Sequence, residues 1–284
     1  MEIVESVEEV RRHVRKARAS EKRIGLVPTM GALHEGHLSL MRAGRDETEY
    51  LAVSVFVNPT QFNEAADLAK YPRQLEADAE LAEEIGANLI FAPPAEVMYP
   101  EGFNTFIDQD RLTKPWEGEH RPGHFRGVLT VVTKLLNIVL PDAAYFGQKD
   151  FQQAAVIRAM VADLNMPVTI RVLPTVREPD GLAMSSRNER LSKTDWQQAL
   201  CLCEALRHAR SRAEAGEASA ETLVEEMTEI IRQRDRTRVD YVAIVDPNTL
   251  DAKQEVAPGD VALLAVRVGE TRLIDNMILL EGRS

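Results

Sequence analysis

The chain has only two cysteines in 284 residues, Cys201 and Cys203, which leaves no basis for a disulfide framework. At i,i+2 on a helical pattern their side chains point to roughly opposite sides, so neither a bridge nor a zinc pair is expected there. A reducing compartment is the natural setting for such a chain. No apolar run approaches the length of a membrane span. The first segment, MEIVESVEEVRRHVRKARAS, is charged and amphipathic and lacks the apolar core of a secretory signal. A soluble, cytoplasmic protein with no membrane partner is the expectation. Positive charge is also scarce: 34 Lys and Arg face 45 Asp and Glu, a formal charge of -11. That balance argues against a broad phosphate-backbone surface, hence against a nucleic-acid partner, and favours small-molecule substrates. Internal repeats and low-complexity tracts are absent.

What is present is an alternation of strand and helix. RIGLVP (23–28), YLAVSVFV (50–57) and NLIFAPP (88–94) are continuous apolar runs of strand length. Between them GHLSLMRAGRDE places Leu38, Leu40 and Met41 near one face. QLEADAELAEEIGA does the same for Leu75, Ala79, Leu81, Ala82 and Ile85, and stops near Gly86. FRGVLTVVTKLLNIVL reads as a buried helix, DAAYFG as a strand, DFQQAAVIRAMVADLNM as a helix and TIRVLPTV as a strand. Strands apolar on both faces and alternating with helices predict an α/β fold with a doubly wound parallel, Rossmann-like sheet. Ligands of such sheets bind beyond the carboxyl ends of the strands. From about residue 193 to 235 the pattern is helical, and VDYVAIVD, VALLAVRVG and TRLIDNMILL then follow as three strands, which predicts a smaller C-terminal α+β domain. LPTVREPDG (173–181), with two prolines and a glycine, marks the boundary near 174–180, giving domains 1–176 and 177–284.

The stretch PTMGALHEGH after the first of these runs carries Gly31 and Gly36, so the backbone can turn tightly and expose its amides before a helix begins. A helix N-terminus of that kind attracts anions. With His34 in the turn and His37 in the first helical turn, two imidazoles join those amides, a set suited to the charge that builds on an α-phosphate in nucleotidyl transfer. A structural role for the pair is the plain alternative. Zinc is a weaker one, since H-E-x-x-H needs i,i+4 spacing and no clustered third ligand is visible. His13, His120 and His208 read as surface histidines.

VFVNPTQF places Asn58 and Gln61 at the end of the second run; their neutral amides can hold a hydroxy acid, while Asn-Pro also reads as an ordinary turn. In YFGQKDFQQ, Lys149 and Asp150 open a helix after a strand and a glycine. The lysine is placed for phosphate; Asp150 can cap the helix, orient a ribose or help hold magnesium. GLAMSSRNERLS adds Ser185, Ser186 and Arg187, all able to bind phosphate oxygens. HRPGHFRGV offers Arg121, His124 and Arg126 around a Pro-Gly turn, of which one reaches the site and the others sit on a solvated loop.

PTMGALHEGHLSL, VFVNPTQF, YPR, RPGHFRGV, FGQKDFQQ, PTVREPDGLAMSSRN and the late DNM resemble, in order and over essentially the full length, the pantothenate synthetase (pantoate–β-alanine ligase) family of the nucleotidylyltransferase superfamily. The resemblance implies ATP-dependent condensation of (R)-pantoate with β-alanine to pantothenate, AMP and pyrophosphate through a pantoyl adenylate, with magnesium, by a homodimer. It implies an ATP-binding segment at Pro28 and at Met30 through His37, with His37 matching the family's proton donor. Gly147 to Asp150, Val176 and Met184 to Arg187 match further nucleotide contacts. Gln61 matches a residue contacting pantoate and later β-alanine, Gln153 the second pantoate-binding amide, and Arg121 is a further substrate-binding candidate. Asp78 lies where the family has an acidic residue near the metal, although on an exposed-looking helix a solvated carboxylate is equally expected. Gln148 departs from the glutamate common at its position, with little expected effect. Because the pantoyl adenylate is water-sensitive, the C-terminal domain is expected to close over the site as a lid. The rival readings are a nucleotidylyltransferase that releases its adenylated product, a tRNA-ligase fragment, which the acidic balance disfavours, and a nucleotide sensor without turnover.

Overall fold

The structure is a computed structural model of the chain and describes residues 1–63 and 65–282. It divides into two compact units, Met1–Gly147 with Gln152–Pro174, and Gln148–Phe151 with Thr175–Ser284. Among the described residues no helix is long and apolar enough to cross a membrane.

The first unit is built on β1 (Glu2–Val4), α1 (Val7–Ala19), β2 (Ile24–Thr29), α2 (Glu35–Glu47), β3 (Tyr50–Val55), α3 (Ala65–Lys70), α4 (Leu75–Ile85) and β4 (Leu89–Phe91). It continues through the short helices α5 (Ala95–Met98) and α6 (Glu117–His120) to α7 (His124–Val139), β5 (Ala143–Gly147), α8 (Phe151–Asp163) and β6 (Thr169–Leu173). The strands form a parallel sheet in the order β1-β4-β3-β2-β5-β6. The chain winds outward from β2 through β3 and β4, then returns to β5 on the other side of β2. The strand order therefore reverses between β2 and β5, the place where such sheets hold ligands. Burial on both faces explains the unbroken apolar runs: Val27, Leu51, Val53 and Ile90 pack with Leu40 and Met41 of α2 and Ala82 of α4. On the other side α7 lies against α1 and β2, and it is apolar nearly all round because almost its whole length is buried.

Two local features go beyond the sequence reading. Residues 2–4 form an edge strand beside β4, with Glu2 and Ile3 exposed, too short and one-sided to register as an apolar run. The helix after it starts at a capping box, in which the Ser6 hydroxyl accepts from the Glu9 amide and the Glu9 carboxylate accepts from the Ser6 amide.

The second unit packs α9 (Lys193–Ala199), α10 (Cys201–Glu214) and α11 (Ala220–Arg232) on an antiparallel sheet β7-β8-β9 (Thr237–Val245, Val261–Val268, Thr271–Ile278). Leu202, Leu206, Leu223, Met227, Ile231, Leu264 and Val266 form its core. Both cysteines are reduced and buried in α10, and burial pushes the Cys201 thiol up to about 12. Neither is suited to act as a thiolate.

One close approach in the first unit fixes the turn after β3. A Cβ on Gly127 of α7 would collide with the Thr60 carbonyl oxygen and lie 2.8 Å from the Gln61 nitrogen, so only glycine lets the helix seat against that turn. Gly127→Ala should destabilise the protein by about 1–3 kcal/mol, as overpacking against backbone does, read as a lowered midpoint in urea unfolding. A midpoint equal to that of the parent would contradict this packing.

Candidate active site

The first unit gathers its polar groups where β2 and β3 end. After β2 the chain makes a tight turn, and nearly every amide in it is already used. Gly31 donates to the Thr29 hydroxyl at 3.1 Å, Ala32 to Asp78 Oδ2 at 3.0 Å and Leu33 to Asp78 Oδ1 at 2.8 Å. The expected row of open backbone donors is therefore not available to an anion. Asp78 is equally unlike its expectation: it is fully buried on α4, with each carboxylate oxygen receiving an amide. It is not solvated, and both of its oxygens are engaged by the turn. A buried carboxylate persists when amides satisfy it, and in return it fixes the turn.

That turn delivers the histidines. His34 is the N-cap of α2, and its Nδ1 accepts from the Gly36 amide at 3.2 Å. His37, one helical turn in, accepts at Nδ1 from the His34 amide at 3.4 Å. A side chain on Gly36 would crowd the His34 ring, at 2.9 Å from Cε1 and 3.0 Å from Nδ1. The two rings lie 4.1 Å apart, centre to centre, at 40°. With both Nδ1 atoms accepting, a neutral ring carries its proton on Nε2, so each ring has its donor on the edge away from the cap.

Gln61 sits in the short 3-10 turn Pro59–Gln61 and is buried. Its Nε2 donates to Met30 Sδ at 2.9 Å, which places the amide beside the residue that follows β2. Asn58 does not present an open amide. It is the N-cap of this turn and almost completely buried. Its Nδ2 donates to Gln61 Oε1 at 3.0 Å and to the Gly127 carbonyl at 3.2 Å. Its Oδ1 accepts from the Thr60 hydroxyl at 2.9 Å and from the Tyr99 hydroxyl at 2.8 Å. Asn58 thus orients Gln61.

Arg121 and His124 support the same turn rather than lying on a solvated loop. His124 Nδ1 donates to the Gln61 carbonyl at 2.8 Å, and its Nε2 faces Arg121 Nη1 at 3.2 Å. Arg121 also reaches the Gln61 carbonyl at 3.3 Å and Glu117 at 3.7 Å, so its guanidinium is occupied by the scaffold. Arg126 stacks on Phe106 at 3.8 Å. Of the two amides in FQQ, Gln152 is structural: it accepts from the Glu117 amide and donates to the carbonyls of Leu112 and Pro115. Gln153 is half-buried on α8, and Pro28 is a half-buried residue of β2. Gly147 ends β5.

The second unit holds the remaining candidates. Lys149 and Asp150 lie in a 3-10 turn, Gln148–Asp150, with Nζ 3.7 Å from the Asp150 carboxylate. The Met184 amide donates to the Val176 carbonyl at 3.0 Å. Ser185 caps the turn Ser186–Arg190, its hydroxyl accepting from the Arg187 amide at 3.3 Å, so that oxygen has a structural task. Both turns contact β9. Burial works against the charge of Arg177, yet the bidentate Asp275 carboxylate, at 2.6 and 2.9 Å, holds its guanidinium above the ordinary arginine value. Among the described residues no group of three or more His, Cys, Asp or Glu side chains could enclose a metal ion. The donor set therefore offers no protein cage for magnesium, and Asp150, with its half-exposed carboxylate, is the one carboxylate among the candidates open to a phosphate-bound ion.

The family model described as pantoate-beta-alanine ligase matches residues 2–278. The chain belongs to the pantoate–β-alanine ligase family. It is 53% identical over 281 residues to the pantothenate synthetase of Syntrophotalea carbinolica and 51% identical over 279 residues to that of Moorella thermoacetica, covering 98–99% of this chain and 99% of each relative. Among solved structures, pantothenate synthetase from Thermus thermophilus superposes with a TM-score of 0.94 at 44% identity, covering 99% of this chain and all of that one. Pantoate-beta-alanine ligase from Francisella tularensis, complexed with beta-gamma ATP and beta-alanine, gives 0.81 at 34% identity, covering 99% of both chains.

As a member of the ligase family, the chain uses more structural residues around its candidates than sequence reasoning finds. Asp78 as a loop anchor, Tyr99 behind Asn58, His124 behind Gln61, and Arg177, Asp275 and Asn276 in the second unit carry no local signature, although HFRGV, TVREPDG and DNM are conspicuous blocks. Replacing the anchor tests the arrangement: Asp78→Asn keeps the shape but sets an amide N–H₂ against a backbone donor. It should cost about 1–3 kcal/mol in chemical denaturation, with a loss of activity out of proportion to any change in folded population. Unchanged stability and turnover would show that the carboxylate does not hold the turn.

Proposed function

We propose that this chain joins pantoate to β-alanine as pantothenate at the expense of ATP, through a pantoyl adenylate. The observation that carries the reading is the paired presentation of His34 and His37 by a fixed turn at the end of β2, where the strand order reverses, with Gln61 held beside Met30. A phosphate flanked by two imidazole donors has its charge stabilised as it develops, and a buried neutral amide suits a hydroxy acid without repelling its carboxylate.

The chemistry follows from charge. A pantoate carboxylate oxygen attacks the α-phosphorus of ATP, the bond to the β-phosphate bridging oxygen breaks, and pyrophosphate leaves. Nε2–H of His34 and His37 stabilises the α-phosphate oxygens, while the cationic groups of Lys149 and Arg187 suit the charge of a triphosphate. Magnesium, carried by the phosphates, supplies further charge neutralisation when bound. The neutral amine of β-alanine then attacks the acyl carbon of the mixed anhydride. The amine loses a proton, the acyl–oxygen bond breaks and AMP departs. Gln61 and Gln153 hold pantoate in both steps. Asn58, His124 and Arg121 serve by holding Gln61 in place. No covalent enzyme intermediate is needed, in keeping with two buried, protonated cysteines. The working form is a cytoplasmic homodimer.

Incubation with ATP, magnesium and pantoate should release at most about one pyrophosphate per active site, and adding β-alanine should start steady formation of AMP and the amide. Continuous pyrophosphate release with no amine would favour an enzyme that discharges its adenylate. His37→Ala should slow the pyrophosphate burst by about 10²–10³-fold, as loss of an oxyanion donor does; near-parental bursts would remove His37 from the chemistry.

A further inference from the structure

The turn that carries Lys149 is held by one side chain. Asn276 of β9 is almost fully buried, and both hydrogens of its carboxamide are spent on successive carbonyls of that turn: Nδ2 donates to Gln148 O at 2.8 Å and to Lys149 O at 2.9 Å. Its Oδ1 accepts from Gln148 Nε2 at 3.2 Å, which fixes the orientation of the amide. Behind it, the Arg177 guanidinium grips the Asp275 carboxylate at 2.6 and 2.9 Å and the Asn276 carbonyl at 3.3 Å, while the Asn276 amide donates to Asp275 Oδ1 at 2.8 Å. The backbone of Asn276 is thereby locked, and β9 also contacts the turn bearing Arg187. One strand residue thus sets where the Lys149 stem begins.

We propose that Asn276 is a positioning residue for Lys149, holding the Gln148–Asp150 turn so that the ammonium group meets the triphosphate during adenylation. The proposal rests on the reading of Lys149 as a phosphate-binding group. Only a carboxamide fits the task. An aspartate of the same shape would bring a carboxylate against two carbonyl oxygens with no proton to offer. A purely structural residue would act on folding alone, whereas a positioning residue acts through Lys149 and loses its effect once that side chain is gone.

The test uses the full chain as parent, Asn276→Asp, Lys149→Ala and the double variant, with the pyrophosphate burst from ATP, magnesium and pantoate as the readout and thermal midpoints alongside. Asn276→Asp should slow the burst by about tenfold or more, since misplacing a charge-stabilising group by an ångström has effects of that order. It should leave the KM for β-alanine unchanged. The double variant should be no slower than Lys149→Ala. Asn276→Ser, which keeps a single donor, should fall between parent and Asn276→Asp and serves if the aspartate variant fails to fold. Independent, multiplying losses in the double variant, or a parental burst in folded Asn276→Asp, would overturn the proposal while leaving the role of Lys149 standing. A parental burst in Lys149→Ala would overturn the reading of Lys149 itself, and this proposal with it.

Discussion

The carboxylate of Asp78, buried beneath the turn after β2 and bonded to the amides of Ala32 and Leu33, is the constraint on which the candidate site depends. A charge in that position is tolerated only because the turn satisfies it, and the turn holds its shape only because the charge is there. The immediate consequence is chemical. Amides committed to Asp78 and Thr29 are not available to a phosphate, so in the proposed mechanism the anion is met by the imidazoles instead. His34 caps α2 with its own Nδ1, which directs its proton-bearing nitrogen elsewhere.

The same economy appears at the other polar positions. Asn58 spends its whole hydrogen-bonding capacity on Thr60, Gln61, Gly127 and Tyr99, and the Gln61 carbonyl is held by His124 and Arg121. Gln152 binds the loop at 112–117 to α8, beside the proposed pantoate ligand Gln153. In the second unit Asn276 and Ser185 serve the turns that carry Lys149 and Arg187. Gln61 and the turns bearing Lys149 and Arg187 are thus each held by a polar side chain whose work is orientation. Adenylation needs this, because most of its rate enhancement comes from charges fixed before the reaction begins.

Much of the architecture is legible in the sequence because its causes are local. Runs such as LAVSV and LIF declare strands buried on both faces, and the spacing of Leu75, Ala79 and Ala82 declares a helix with one apolar side. β1 escapes such a reading because three residues at a sheet edge have no such pattern. The histidine pair and the Gln61 block stand out by their place after strands. Asp78 misleads because its partners lie 45 and 46 residues away and an acidic helix gives no hint that one carboxylate turns inward. Asn58 and Arg121 look like substrate ligands for the same reason, and the amides of the glycine turn look open. Sequence shows which donors exist, whereas only tertiary contacts show which are already taken.

The most direct measurement is heteronuclear NMR of ¹⁵N-labelled protein titrated with ATP and magnesium, following the imidazole nitrogens of His34 and His37 together with the amides of Ala32 and Leu33. Both rings should show the Nε2-protonated tautomer in the free protein, and their Nε2 signals should move on binding while the two amides stay nearly fixed. Large shifts at Ala32 and Leu33 with unmoved imidazoles, or rings protonated at Nδ1, would contradict the account.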